Sequence, residues 1–288
     1  MLLKHISFED ASEQLDVRTT TVFPQIIHQF WFGIENPTMP DAWQKNFDLW
    51  TNLHPEWIHV LWSRKDAEDC IKTCEPEFYS TYINFKYEIQ RIDSVRYCML
   101  KRFGGIYADL DMYPIKPIDK LFLNSTCEVY ALHSALTTDT YTNALFGCIK
   151  NAPVMSEMIN SMMYANNKPI WAVGKFLTVM YTTGPNAFTK VLEKFKNVVC
   201  TLPSSVTNNE YGASPTPETY VLNTNGSTWH GFDAKFVKFV TIHKILCACL
   251  TVFILSAIIF GCIFYYSKRA KKCELSLMHC SHKVKLLT

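Results

Sequence analysis

The sequence predicts an α/β domain on a largely parallel central sheet, followed by one membrane-spanning helix. Three observations carry that expectation. Across residues 23–235, short apolar runs rich in β-branched and aromatic residues alternate with longer helical patterns, the order of an α/β domain. A Gly-Gly pair at 104–105 joins a helical pattern to a short apolar run bearing two carboxylates. Residues 245–266 hold no charged side chain.

Residues 1–22 are polar and are expected to form a flexible lead-in. They hold no apolar core of the kind a signal peptide needs. Residues 26–32 (IIHQFWF) read as a buried strand, and 33–40, with two prolines, as a loop. Residues 43–53 read as a helix, 58–62 as a second strand, and 66–74 with the segment after them as helices. A third strand is expected at 107–111, ended by Pro114 and Pro117, and a fourth at 129–133. Helices are expected at about 154–164, 171–181 and 186–196. Residues 203–228 are rich in Pro, Ser, Thr and Asn and read as loop. No internal repeat is visible.

The spanning helix is expected at 242–266, with a short basic tail at 267–288. At about 1.5 Å per residue the charge-free run extends about 33 Å, enough for a bilayer core. It is apolar all round, whereas a core helix of this length is usually amphipathic. Tyr265 and Tyr266 sit at one end, as interfacial aromatics do, and Lys268, Arg269, Lys271 and Lys272 follow. That cluster favours a cytosolic tail and a lumenal domain. Lys235, Lys238 and Lys244 on the other side nearly cancel the bias. A tail-anchored protein with a cytosol-facing domain therefore stays open, as does a chain lacking an N-terminal exon.

The net charge of +2, without a basic stripe, excludes nucleic acid as the expected partner. Cys70, Cys74, Cys98, Cys127, Cys148 and Cys200 fall before the span. Their even number is compatible with disulfides, and no pair has zinc-like spacing. Cys247, Cys249, Cys262 and Cys273 lie in or beside the span. Asn124 and Asn225 are formal glycosylation acceptors of little weight.

The chemistry concentrates in residues 91–111, RIDSVRYCMLKRFGGIYADLD. On a helix, Ile92, Val95, Met99, Leu100 and Phe103 form one apolar face. Arg96 falls inside it and Asp93 at its edge. A guanidinium aimed into a core needs an anionic partner, and Asp93, three residues back, can supply it. The pair reads either as an ordinary ion pair within the helix or as the lining of a polar site. Gly104 is expected to cap the helix in a left-handed conformation, and the pair of glycines to permit a tight reversal. A strand over 106–110 would then present Asp109 and Asp111 on one side at its C-terminal end, where ligands bind in open α/β sheets. Two carboxylates this close raise each other's pKa, and a hard divalent cation, Mn²⁺ or Mg²⁺, resolves the repulsion.

A bare Asp-x-Asp is weak, but behind Gly-Gly-Ile-Tyr and an Asp-x-x-Arg helix it is specific. The sequence here resembles the family 32 glycosyltransferases, among them initiating mannosyltransferases and inositol-phosphoceramide mannosyltransferases. The glucosylating domains of large clostridial toxins look similar over the same stretch. The resemblance rests on residues 24–33 (PQIIHQFWFG), 91–111, 183–185 (TGP) and 226–230 (GSTWH). It implies a GT-A-type, Rossmann-like nucleotide-sugar-binding domain and transfer with retention at the anomeric carbon. Carried over, Trp31 would stack on the nucleotide base and Tyr107 would pack beside the nucleotide. Asp93 and Arg96 would hold the donor sugar and its phosphate side. Asp109 would contact ribose or sugar hydroxyls near the metal, Asp111 would ligate it, and Trp229 and His230 would close over the diphosphate, His230 as a further ligand. Asn143 is a weaker candidate for contact with sugar or acceptor. The branch resemblance implies GDP-mannose as donor, with UDP-galactose or UDP-glucose as alternative. It implies an inositol-phosphoceramide-like lipid or a glycoprotein glycan as acceptor, a Golgi or endomembrane setting, and a regulatory membrane subunit as possible partner.

Three other readings compete. A haloacid-dehalogenase-type phosphatase also uses Asp-x-Asp, but wants Thr or Val where Tyr113 stands. A tethered sugar-nucleotide-binding protein without turnover would not need both carboxylates. A scaffold subunit, active only with a membrane partner, modifies the enzyme reading.

Overall fold

Segments too polar on average to announce a core still contribute to it. The computed structural model describes residues 2–4, 6–18, 23–33, 38–122, 127–134, 137–164, 169–207, 214–224 and 230–285. The N-terminal stretch expected as a flexible lead-in instead forms β1 (Leu2–Lys4) and α1 (Phe8–Arg18). Leu3, Phe8, Ala11 and Leu15 are buried in the core. Phe8, Ala11 and Leu15 recur at helical spacing, so one face of an otherwise polar helix packs inward.

The chain divides into two units, Met1–His230 and Gly231–Thr288. The first is built on a seven-stranded sheet in the order β1-β3-β2-β4-β7-β6-β8. Its further strands are β2 (Ile26–Phe30), β3 (Ile58–Trp62), β4 (Gly105–Ala108), β6 (Val129–Ser134), β7 (Thr137–Cys148) and β8 (Val199–Leu202). β7 runs antiparallel to β4 and β6, and the remaining neighbours are parallel. The expected largely parallel α/β sheet is therefore present. β7 was not foreseen, because its Thr-rich first half lacks an apolar run. A two-stranded ribbon pairs β5 (Met112–Pro114) with β9 (Val221–Asn223).

The helices of this unit are α2 (Asp41–Leu53), α3 (Arg64–Cys74), α4 (Pro76–Ile83), α5 (Glu88–Phe103), α6 (Asp119–Phe122), α7 (Pro153–Met163), α8 (Gly174–Thr182) and α9 (Pro185–Leu192). One apolar cluster joins Phe8, Val60, Trp62, Val95, Leu100, Phe103, Met155 and Phe188. Another joins Ile27, Trp50, Trp57, Ile106, Met112, Tyr130 and Leu132. The alternation Ile26/Ile27 across the two clusters shows both faces of β2 covered, which explains its unbroken apolar run. Cys127 and Cys200 form a disulfide across 73 residues, their Cα atoms 5.8 Å apart.

In the second unit α10 (Phe232–Ile242) is followed, after a break at His243, by α11 (Lys244–Lys285). The domain boundary expected at 235 thus falls within α10. Residues Lys244–Arg269 are long and apolar enough to cross a membrane, with none of that stretch buried.

Candidate active site

The site begins at the turn out of α5. Gly104 has φ 68° and ψ −163°, a region open essentially to glycine alone, rather than the left-handed helical cap expected. A Cβ there would lie 2.6 Å from the Lys150 nitrogen, and one on Gly105 (φ 91°) would lie 2.5 Å from the Ile26 oxygen. Gly105 thus allows the close approach of β2, and Gly104 that of the backbone just after β7. His28 braces the turn: its Nε2–H donates to the Gly104 carbonyl at 2.9 Å, and its Nδ1 accepts from Trp62 Nε1 at 2.9 Å. Burial lowers its pKa to about 4, leaving a neutral structural ring.

β4 ends at Ala108, earlier than the sequence pattern suggests. Asp109 and Asp111 are carried by a turn in which the Met112 N–H donates to the Asp109 carbonyl at 3.0 Å. A turn, and not an alternating strand, therefore carries both residues. The turn's backbone is held on every side. Asn46 Nδ2, buried on α2, donates to the carbonyls of Leu110 (2.6 Å) and Met112 (2.9 Å). Trp50 Nε1, one helical turn on, also donates to Met112 (2.8 Å). The carbonyl of Asp111 accepts from Thr224 N at 2.9 Å and Thr224 Oγ1 at 2.8 Å. Gln29 Nε2 reaches the Asp109 carbonyl at 3.4 Å, and its Oε1 accepts from His59 Nε2 at 2.9 Å.

Behind this turn lies a buried charged cluster. Arg96 Nη2 meets Asp93 Oδ1 at 2.9 Å, and Nη1 meets Asp109 Oδ1 at 3.4 Å. Arg96 Nη1 also donates to the Asn143 carbonyl at 2.6 Å, and the guanidinium lies 4.3 Å from the Tyr107 ring centroid. Asp93 accepts from Thr183 Oγ1 at 3.1 Å and Asn143 Nδ2 at 3.3 Å. Tyr97 OH donates to the Thr183 carbonyl at 2.8 Å, and the Tyr107 hydroxyl donates to Asp109 Oδ1. Side-chain exposure is 3% for Arg96, 6% for Asp93 and 31% for Asp109, so Asp109 marks the open edge.

Two acids share one cation here. Burial raises Asp93 to about 7, against the pull of Arg96 and with the repulsion of Asp109. Burial also raises Asp109, opposed by Arg96 and by the Tyr107 hydroxyl. For Arg96, burial opposes the charge, but Tyr107, Asp109, Asp93 and Tyr97 outweigh it and push its pKa up. Asp93 and Asp109 already outnumber Arg96, and Asp111 follows on the same turn; a divalent cation at the open edge would draw on Asp109 and Asp111. Among the described residues no three His, Cys, Asp or Glu side chains gather into a metal-ligating group. A site of two carboxylates fits Mg²⁺-like ions, whose coordination is ordinarily completed by substrate phosphates and water.

The structure thus brings Asp93, Arg96, Tyr107, Asp109 and Asn143 together. Trp31 sits half-buried just beyond β2, edge-on to Trp43 with centroids 5.3 Å apart. His230 is exposed and edge-on to Phe176 at 5.2 Å. Trp229 lies outside the described residues, as do Asn124 and Asn225. Asn46, Trp50, Thr224 and Tyr97 were not singled out from sequence. Asn46 and Trp50 leave a faint signal, two polar-tipped side chains at i, i+4 flanking buried Phe47.

The model of the glycosyltransferase sugar-binding region containing the DXD motif matches residues 40–128. The chain is 27% identical to mannosyl phosphorylinositol ceramide synthase of Saccharomyces cerevisiae over 86% of its own length and 62% of the relative's. It is 29% identical to inositol phosphoceramide mannosyltransferase 3 of Schizosaccharomyces pombe, covering 84% of this chain and 66% of that one. The chain therefore spans a little under two thirds of the length of these relatives. Among solved structures, the PaToxG glycosyltransferase aligns with a TM-score of 0.48 at 17% identity, over 65% of this chain and 76% of that one.

Proposed function

Because residues 40–128 match the glycosyltransferase sugar-binding region containing the DXD motif, we propose that this chain is a membrane-anchored, metal-dependent, retaining hexosyltransferase. Mannose is the sugar we favour, on the names of its relatives, and GDP-mannose the donor, on the family resemblance of its motifs. The acceptor is an inositol-phosphoceramide-like lipid. The single observation that carries the reading is the Asp109–Asp111 turn, braced by Asn46 and Thr224 and backed by the buried Asp93–Arg96 pair.

Transfer breaks the bond between the anomeric carbon and the diphosphate oxygen and forms one from that carbon to the acceptor hydroxyl oxygen, whose proton leaves with the nucleoside diphosphate, and negative charge grows on the leaving oxygen. A divalent ion held by Asp111 and Asp109 would stabilise that charge as a Lewis acid. Arg96, cationic and held rigid by Asp93 and Asn143, sets a positive potential at the donor's phosphate side. Asp93 and Asn143 offer acceptor and donor groups for sugar hydroxyls. Tyr107 orients Asp109 through its hydroxyl. Trp31 offers an indole face to the base. Since these groups are positioned before substrate arrives, little reorganisation is needed at the reacting centre.

The C-terminal helix Lys244–Arg269 supplies the anchor in this reading. The Cys127–Cys200 disulfide favours a lumenal, oxidising side for the first unit.

The test is a donor screen. Full-length protein in detergent is incubated with GDP- and UDP-sugars and Mn²⁺, beside Asp111→Ala. Metal-dependent release of one nucleotide, lost in the variant, is expected. Equal release by the variant, or release without metal, contradicts the reading.

A further inference from the structure

Most exposed apolar side chains on a folded surface are scattered and need no account. Leu2, Ile83 and Tyr113 in the first unit are of that kind. One stretch differs. Tyr164 (65% exposed), Ile170 (95%), Trp171 (57%) and Val173 (66%) all lie within ten residues of chain.

The backbone shows how part of this stretch is displayed. The Ala172 N–H donates to the Pro169 carbonyl at 2.8 Å, which closes a turn with Ile170 and Trp171 at its tip. Ala172 is buried and anchors the turn. Gly174, at φ 81°, starts α8 directly afterwards. The Trp171 ring packs edge-on against Tyr181, on the last turn of α8, with centroids 4.9 Å apart. The turn is thus folded along α8 with its apolar tip outward.

α8 also serves the candidate active site. Its Phe176 touches His230, and its end places Thr182 against Gln90 and Thr183 against Asp93. Tyr181, which Trp171 packs on, is two residues from Thr183. An apolar knuckle with an indole at its tip therefore rides on the helix that completes the Asp93 side of the site.

We propose that the Pro169–Val173 turn is a membrane-contact element that dips into the interfacial layer of the bilayer and sets the active site at the level of lipid headgroups. The inference rests on reading the chain as a membrane-anchored glycosyltransferase. The occupant is lipid rather than protein for two reasons. In that reading the candidate span Lys244–Arg269 tethers the first unit to a bilayer. Tryptophan with flanking aliphatics is the composition favoured at the membrane–water interface, where the ring is apolar and its N–H meets water. The consequence is substrate selection: an acceptor whose reacting hydroxyl stays near the membrane plane is reached, while a glycan held far above it is not.

The experiment uses full-length protein in phosphatidylcholine nanodiscs, with and without chains brominated near the headgroup. Brominated lipid should quench a fraction of wild-type tryptophan emission that Trp171→Phe no longer shows. In the same discs, Ile170→Asp with Val173→Asp should cut transfer to an embedded inositol-phosphoceramide acceptor on the order of tenfold, about 1.4 kcal/mol, through KM. Metal-dependent donor hydrolysis by the double variant should stay at the wild-type level. Equal quenching in wild type and Trp171→Phe overturns the proposal, as does concentration-dependent self-association that shields Trp171 from quencher. A wild-type protein that hydrolyses no donor sinks the glycosyltransferase reading instead, and the quenching comparison still decides the turn.

Discussion

Asp93 and Asp109 compete for one guanidinium, and the balance between them sets the pH behaviour of the site. The Asp93 carboxyl titrates near 7 in the folded chain against about 4 when unfolded. The folded state thus holds a proton between those values that the unfolded chain has released. Asp93 favours folding most below pH 4, and that contribution is lost as pH rises toward 7. Function runs the other way, because the ionised form is what orients Arg96. Donor turnover should fall on the acid side with an apparent pKa near 7. Asp93→Asn should be slow at all pH values and lack that limb. Its stability relative to wild type, followed by thermal melts from pH 4 to 8, should rise with pH. Asn46→Ala removes the hydrogen bonds to the Leu110 and Met112 carbonyls, of which Met112 keeps its Trp50 donor, and should cost about 1–3 kcal/mol in urea unfolding, the range for stripping a buried carbonyl of its partner. Mn²⁺ affinity, read by electron paramagnetic resonance on the folded variant, should weaken as well. Unchanged metal binding would reduce Asn46 to a structural role. The Asp93–Arg96 pair was legible in the sequence because a guanidinium on an apolar helical face demands a partner. Asn46 was not, because its partners lie 64 and 66 residues away and are backbone atoms, which no side-chain pattern announces.

Among elements, the α5–β4 junction is the most constrained. A side chain at Gly104 or Gly105 would meet both a forbidden backbone region and a fixed neighbour. Gly105→Ala should therefore destabilise by more than the roughly 1–3 kcal/mol of backbone strain alone, as a fall in the urea midpoint or in soluble yield. Unaltered stability would show that the β2–β4 approach is looser than described. The helix–glycine–strand order was readable from 91–108, since period and punctuation change together there. The turn bearing Asp109 and Asp111 was misread as strand because Tyr107, Asp109 and Asp111 mimic its alternation. α1 was hidden by its polar average, although three side chains carry its packing. Leu15→Ala should cost about 2–5 kcal/mol, as for other buried leucines. A neutral result would return residues 8–18 to the status of a dispensable extension. The long strand β7 has no signal in the sequence because pairing between β4 and β6, and not its composition, makes it a strand.

At the scale of the molecule, an α/β unit built on a seven-stranded sheet is followed by a helix fit to cross a bilayer. The disulfide closes a 73-residue separation in the first unit. Reduction should lower its thermal midpoint by an amount equivalent to about 2–4 kcal/mol. The composition of the span made it visible from residue types alone, whereas the identity of the donor depends on shape and contacts that no local pattern encodes. The most direct test of the account is transfer itself. Full-length protein in nanodiscs would be given GDP-mannose, Mn²⁺ and inositol phosphoceramide, and the lipids would be examined by mass spectrometry. The account predicts a lipid heavier by one hexose, formed by wild type and absent with chelator or with Asp111→Ala. Formation of that product by Asp111→Ala at the wild-type rate, or no hexose transfer from any GDP- or UDP-sugar to any lipid or glycan, would contradict it.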